Sequence, residues 1–93
     1  MKAVLITYKA GELNKTAASK LSKAIFGYKD QSNKSQYTYT RKGIVTTGKN
    51  LIISPSTFIV PKSRAEEILT QIHNKGGKAT SWEIEINKAY LKE

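Results

Sequence analysis

What most constrains this chain is the order in which its hydrophobic period changes. Lys2–Tyr8, KAVLITY, is β-branched and apolar and reads as a strand with a buried face. After Gly11 the spacing turns helical. Asn14 is a good N-cap, Ala17, Ala18, Leu21, Ala24 and Ile25 recur on one side, and Lys15 and Lys23 fall on the other. Gly27 suits the position just past a helix. Polar turn residues at 30–35 precede a period-two stretch at Gln36–Lys42. Residues 43–56 hold Ile44, Val45 and "LII" but also Gly48, Asn50 and Pro55, and read as a loop with a short helical turn. It leads to a strand at Thr57–Val60. Ser63 and Glu66 have capping-box spacing, and Ala65, Ile68, Leu69 and Ile72 form a narrow stripe up to Gly76-Gly77. Ala79–Ile86 returns to period two, with Trp82, Ile84 and Ile86 against Glu83 and Glu85.

Strand, helix, strand, strand, helix, strand predicts one α+β domain over residues 1–93. The expected architecture is ferredoxin-like: an antiparallel sheet of order 4-1-3-2, Gln36–Lys42 being strand 2, with both helices on one face. Trp82 is then expected in the core, and Glu83 and Glu85 on the open sheet face.

Charge narrows the partner. Residues 1–50 hold ten basic and two acidic side chains; residues 51–93 hold six and five. A positive field concentrated in one half of a small domain fits a polyanion. Fourteen of the sixteen cations are Lys, which favours point contacts to phosphate over bidentate base reading, and so low sequence specificity. There is no Cys, hence no thiolate metal site or Cys nucleophile, and with His73 the only His a zinc site of several imidazoles is excluded; no metal, cofactor or catalytic residue is expected. No stretch reads as a signal peptide or a membrane span, and a cytoplasmic protein is expected.

The expected topology gathers Lys9, Gly11, Arg41, Lys42, Lys49, Lys75 and Lys78 at one end, beside the N-terminus of the first helix, where phosphate is favoured. Tyr37, Tyr39 and Arg41 share a strand face. The rings either cover the core with their hydroxyls at its rim or stack on bases. A ligand spread over the whole open sheet would meet Glu83 and Glu85. The nucleic-acid site is therefore expected at the tyrosine–arginine strand and the basic loop end.

The stretch FGYKDQSNKSQYTYTRKG, Phe26 to Gly43, resembles a pattern of small basic archaeal proteins, [FY]-G-Y-x-D-x-S-N-x-x-x-Y-x-Y-x-R-x-G. Gly27, Tyr28, Asp30, Ser32, Asn33, Tyr37, Tyr39, Arg41 and Gly43 carry it. The resemblance implies an archaeal origin and gives weight to the loop after Tyr28; it implies no mechanism.

A non-enzymatic binding protein follows, with RNA, free or within a ribonucleoprotein, ahead of DNA as partner, and no membrane. Two alternatives stand beside it. One is a homodimer or protein-binding adaptor using an exposed strand edge. The other is a metal-independent ribonuclease using Tyr37, Tyr39, Arg41 and Lys42.

Overall fold

β1 (Lys2–Lys9) organises the molecule because both of its neighbours in the sheet, and both helices, depend on its alternation. The computed structural model describes residues 1–11, 13–31 and 38–92. Val4, Ile6 and Tyr8 of β1 point to one face and are buried, and Ala3 and Leu5 point to the other. β5 (Thr57–Pro61) and β6 (Lys78–Glu85) pair antiparallel with β1 on its two sides, Leu5 standing opposite both Ile59 and Trp82. β4 (Leu51–Ser54) adds antiparallel to β5, giving the order β4-β5-β1-β6.

α1 (Lys15–Phe26) and α2 (Lys62–Asn74) cover the same face. Leu21 and Ile25 of α1 and Ala65, Ile68 and Ile72 of α2 share one core with Val4, Ile6, Tyr8, Phe58 and Val60. Asn14 caps α1 as its residue type requires, its Oδ1 accepting from the Ala17 N–H at 2.8 Å. The capping box expected at Ser63 and Glu66 is absent: α2 begins at Lys62 with Pro61 as N-cap and no side-chain cap. β5 runs to Pro61 without a loop, which places Ser63 already inside the first turn.

The opposite face is partly roofed. After β6 the chain makes a short 3-10 turn, Lys88–Tyr90, and buries Leu91 against Ala3 and Ile59. Lys92 then pairs with Asn50 by two backbone hydrogen bonds, 3.0 and 2.9 Å.

The largest departure from the expected topology lies between α1 and β4. The edge place next to Thr57–Val60, expected for Gln36–Lys42, belongs to Leu51–Ser54, so the strand order differs there from the expected 4-1-3-2. Instead β3 (Thr38–Arg41) pairs with β2 (Tyr28–Gln31) as a separate hairpin, with Tyr28 opposite Arg41 and Asp30 opposite Tyr39. The reason is at the end of α1. A helix leaves its last carbonyls without partners, and the chain returning from β3 supplies them: Ile44 N–H donates to Ala24 O at 2.9 Å and Val45 N–H to Ile25 O at 3.0 Å. Val45 is thereby drawn into the core. The Arg64 guanidinium holds the rest of the turn, donating to the carbonyls of Ile44, Val45 and Lys49.

Trp82 also departs from expectation. Its register opposite Leu5 puts it on the face away from the helices, where it is 50% exposed, and Glu83, opposite Val4, is on the helix face. β6 is an edge strand, so neither of its faces is deeply covered. Glu83 can therefore reach Lys62 at the start of α2.

Candidate nucleic-acid interface

The expected single basic end divides into two places. Lys9 stands directly opposite Lys78, Lys75 follows α2, and Gly11 lies against Gly76 and Lys78, so Lys9, Gly11, Lys75 and Lys78 are together at the C-terminal end of β1. Arg41 and Lys42 sit at the other end of α1, against Gly27. A 12-residue helix spans about 18 Å, which is roughly the separation of the two groups. Lys49 is also remote from Lys75: its carbonyl accepts from Arg64 in the first turn of α2, and Lys75 lies past the last. The division follows from the hairpin. Because Arg41 and Lys42 are not in the four-stranded sheet, they follow the C-terminus of α1 and not the loops at the end of β1. Tyr37 lies outside the described residues, and Tyr39 takes its place opposite Asp30 in the hairpin.

At the end of α1 the structure builds a groove that the sequence reading did not identify. Lys20, Lys23, Ala24, Tyr28, Arg41 and Lys42 line a cavity of about 480 Å³ between α1 and the hairpin. Lys20 and Lys23 are three apart on a helix, hence on one face. Arg41 is brought beside them by its register with Tyr28. The Lys23 Nζ lies 5.3 Å from the Tyr28 ring centroid, a cation–π contact that ties α1 to the hairpin. Tyr28 remains 40% exposed.

The glycines at the groove's base explain why the helix and hairpin meet so closely. Gly27 has φ +80°, and a Cβ there would come 2.1 Å from the Arg41 carbonyl oxygen. A Cβ on Gly43 would come 2.3 Å from Ile25 O and 2.4 Å from Gly27 N. Both contacts are with backbone, which cannot swing aside.

Electrostatics favour an anion. The carbonyl end of a helix carries about −0.5 of an elementary charge, so basic residues near it need no ligand to explain them. Of the groove's cations only Lys23 is in the last turn of α1; Lys20, Arg41 and Lys42 add positive charge beyond what the helix end accounts for. Among the described residues no carboxylate lines the groove. Glu66, Glu67, Glu83 and Glu85 lie on α2 and β6, and Asp30 stands in the hairpin two residues beyond Tyr28. Lys62, by hydrogen bond and then by charge, holds Glu83 below the usual carboxylate range, and Glu85 is 3.6 Å from the Met1 ammonium. The polar face of α1 adds to the asymmetry: Lys15, Lys20 and Lys23 are exposed and the helix has no acidic residue.

Lys20, Lys23 and Tyr28 are the residues that sequence reasoning passed over as site residues. Their signal was the alternation of Tyr28 with Asp30 and of Tyr39 with Arg41 about a polar turn, which is hairpin symmetry. Among the described residues no group of three His, Asp or Glu could hold a metal ion, and no helix is long and apolar enough to cross a membrane. No family model, curated protein or solved structure matches the chain.

Proposed function

We propose that this protein is a non-enzymatic nucleic-acid-binding module that holds the phosphate backbone with lysines and Arg41, RNA being favoured over DNA, free or in a ribonucleoprotein. The observation that carries the reading is the groove lined by Lys20, Lys23, Arg41 and Lys42 at the end of α1. Lys9, Lys75 and Lys78 form a second, open contact point along the basic face of α1. Lys49 and Gly11 contribute less, Lys49 because it lies by α2's first turn and Gly11 because it has no charge. The fold reading that fits is a ferredoxin-like domain carrying an inserted hairpin. Set β2 and β3 aside, and the remaining elements follow strand, helix, strand, strand, helix, strand. The Phe26–Gly43 motif has a structural use in this reading, since Gly27, Tyr28, Arg41 and Gly43 meet at the groove.

Counterion release supplies the test. If four to six phosphates are neutralised, log K against log salt falls with a slope of roughly −3 to −5, at about −0.7 to −0.9 per contact. A fluorescence titration of single-stranded and duplex RNA and DNA across salt concentrations measures it. Lys20→Ala, Lys23→Ala and Lys42→Ala should each reduce the slope by slightly under one and weaken binding alike for all sequences, while Glu83→Ala should leave it unchanged. No binding to any of the four at low salt would overturn the proposal.

A second reading has its own observation. β6 is an eight-residue strand with an unpaired outer edge and a half-exposed Trp82, which fits pairing with a second copy of the chain.

A further inference from the structure

We infer that the groove at the end of α1 takes one unpaired nucleotide, its base against Tyr28 and its flanking phosphates on Lys20, Lys23, Arg41 and Lys42, so that the ligand is a single strand. This rests on the nucleic-acid reading above and specifies it.

Concavity comes first. Phosphates of a duplex can be met by a flat patch such as Lys9 with Lys78, whereas the shallow, open groove of about 480 Å³ has a volume in the range of small-molecule sites, about 300–1,000 Å³, and so has room for one nucleotide. The aromatic lining comes second. Tyr28 is the one aromatic residue of the described groove lining, and it is a large ring left 40% exposed although Phe26, two residues before it, packs on the core. Lys23 occupies space over the ring at 5.3 Å and fixes its attitude. Arg41, the cross-strand partner of Tyr28, borders the same groove, so ring and guanidinium face the same space. A flat apolar surface bounded by cations is the combination that single strands use, because every base has a π-face and every nucleotide a phosphate. A stacked duplex offers no base to such a ring.

Trp82 makes the contrast. It is more exposed than Tyr28, but its same-face neighbours along β6 are Thr80 and Ile84, neither of which carries a charge that could hold a phosphate. Exposure of a ring is common to both; only Tyr28 has it among cations.

The experiment titrates a short single strand carrying 2-aminopurine, and the matching duplex, at one salt concentration. Variants are Tyr28→Ala, Tyr28→Phe and Tyr28→Leu, the last keeping apolar bulk over α1 without a flat π-face. Stacking on an aromatic ring is worth between about fivefold and about 150-fold in affinity per base. The expected result is tighter binding of the single strand than the duplex, with 2-aminopurine emission quenched by the parent and by Tyr28→Phe. Tyr28→Ala and Tyr28→Leu should lose about tenfold on the single strand, lose the quenching, and keep the duplex affinity and the salt slope. Equal affinity for strand and duplex, or Tyr28 variants that change both equally or neither, would overturn the nucleotide pocket while polyanion binding stood. Failure of the parent to bind either probe at low salt would overturn both.

Discussion

Tyr8 shows how one side chain in this molecule serves the core and still feels solvent conditions. Its ring centroid lies 6.0 Å from that of Phe26 and 6.3 Å from that of Phe58, and Phe26 meets Phe58 edge-on at 5.7 Å. That cluster joins β1, α1 and β5, and tilted or edge-on pairs each add about 0.5–1.5 kcal/mol to their burial. Burial pushes the Tyr8 hydroxyl above its ordinary value of 10.0, a hydrogen bond with Ser22 partly opposing the rise. The sign for stability follows directly. As pH rises past about 10 the unfolded chain releases this proton and the folded chain keeps it, so the unfolded state binds fewer protons and stability falls. Tyr8→Phe removes the titrating group and the Ser22 hydrogen bond together. At pH 7 it should cost about 0.5–1.5 kcal/mol, the worth of one ordinary hydrogen bond. Between pH 9 and pH 11 the parent should lose more stability than Tyr8→Phe in urea unfolding, so their difference shrinks or reverses. A difference independent of pH would show that Tyr8 ionises as easily folded as unfolded.

At the scale of elements, the junction between α1, the β2–β3 hairpin and the Gly43–Asn50 turn decides whether a groove exists. Its two glycines are placed where a methyl group would strike backbone. At Gly27 the positive φ adds strain that an L-residue does not tolerate cheaply, about 1–3 kcal/mol. Gly27→Ala and Gly43→Ala should therefore each destabilise the fold by about 2 kcal/mol or more, seen in thermal or urea unfolding, and should weaken RNA more than the stability loss alone accounts for. Full retention of RNA affinity in a folded Gly43→Ala variant would detach the groove from the binding site. The same junction marks the limit of what the chain disclosed. Both helices and the strands near Lys2–Tyr8, Thr57–Val60 and Ala79–Ile86 were legible because each carries several apolar residues at one period. Leu51–Ser54 was not, since four residues between Asn50 and Pro55 contain no full alternation, although only Pro55 and Ser56 separate them from β5. The groove was half legible: Arg41 and Lys42 were marked by charge and position. Lys20, Lys23 and Tyr28 needed the hairpin register and the capping of α1 by Ile44 and Val45 before they could be placed beside them. Trp82 misled because a large apolar residue in an edge strand satisfies its alternation on either face.

The whole molecule is electrostatically two-sided, and this makes its two candidate associations respond to salt in opposite directions. α1 and the hairpin carry Lys15, Lys20, Lys23, Arg41 and Lys42, while α2 packs over β1 and β6 and brings the Lys62–Glu83 pair to the sheet's edge. A second copy could extend the sheet from β6 by a twofold axis through Trp82. In that register Lys78 lies opposite Ile86, Glu83 opposite Ser81 and Glu85 opposite Ala79, so no like charges meet across the strands. The basic faces would point away from each other, but two chains of formal charge +9 still repel at long range. Added salt should therefore tighten the dimer, whereas it must loosen lysine–phosphate contacts. Trp82→Glu would set two carboxylates face to face at the twofold axis, and should raise the dimer dissociation constant by at least about tenfold, or 1.4 kcal/mol. Since Trp82 is half exposed, the variant should keep its circular dichroism and its RNA affinity per chain. Sedimentation equilibrium at 50 and 500 mM salt measures both trends. A chain that stays monomeric at the highest concentration in both salts would remove β6 as a self-association edge and leave the groove at α1 as the molecule's one argued interface.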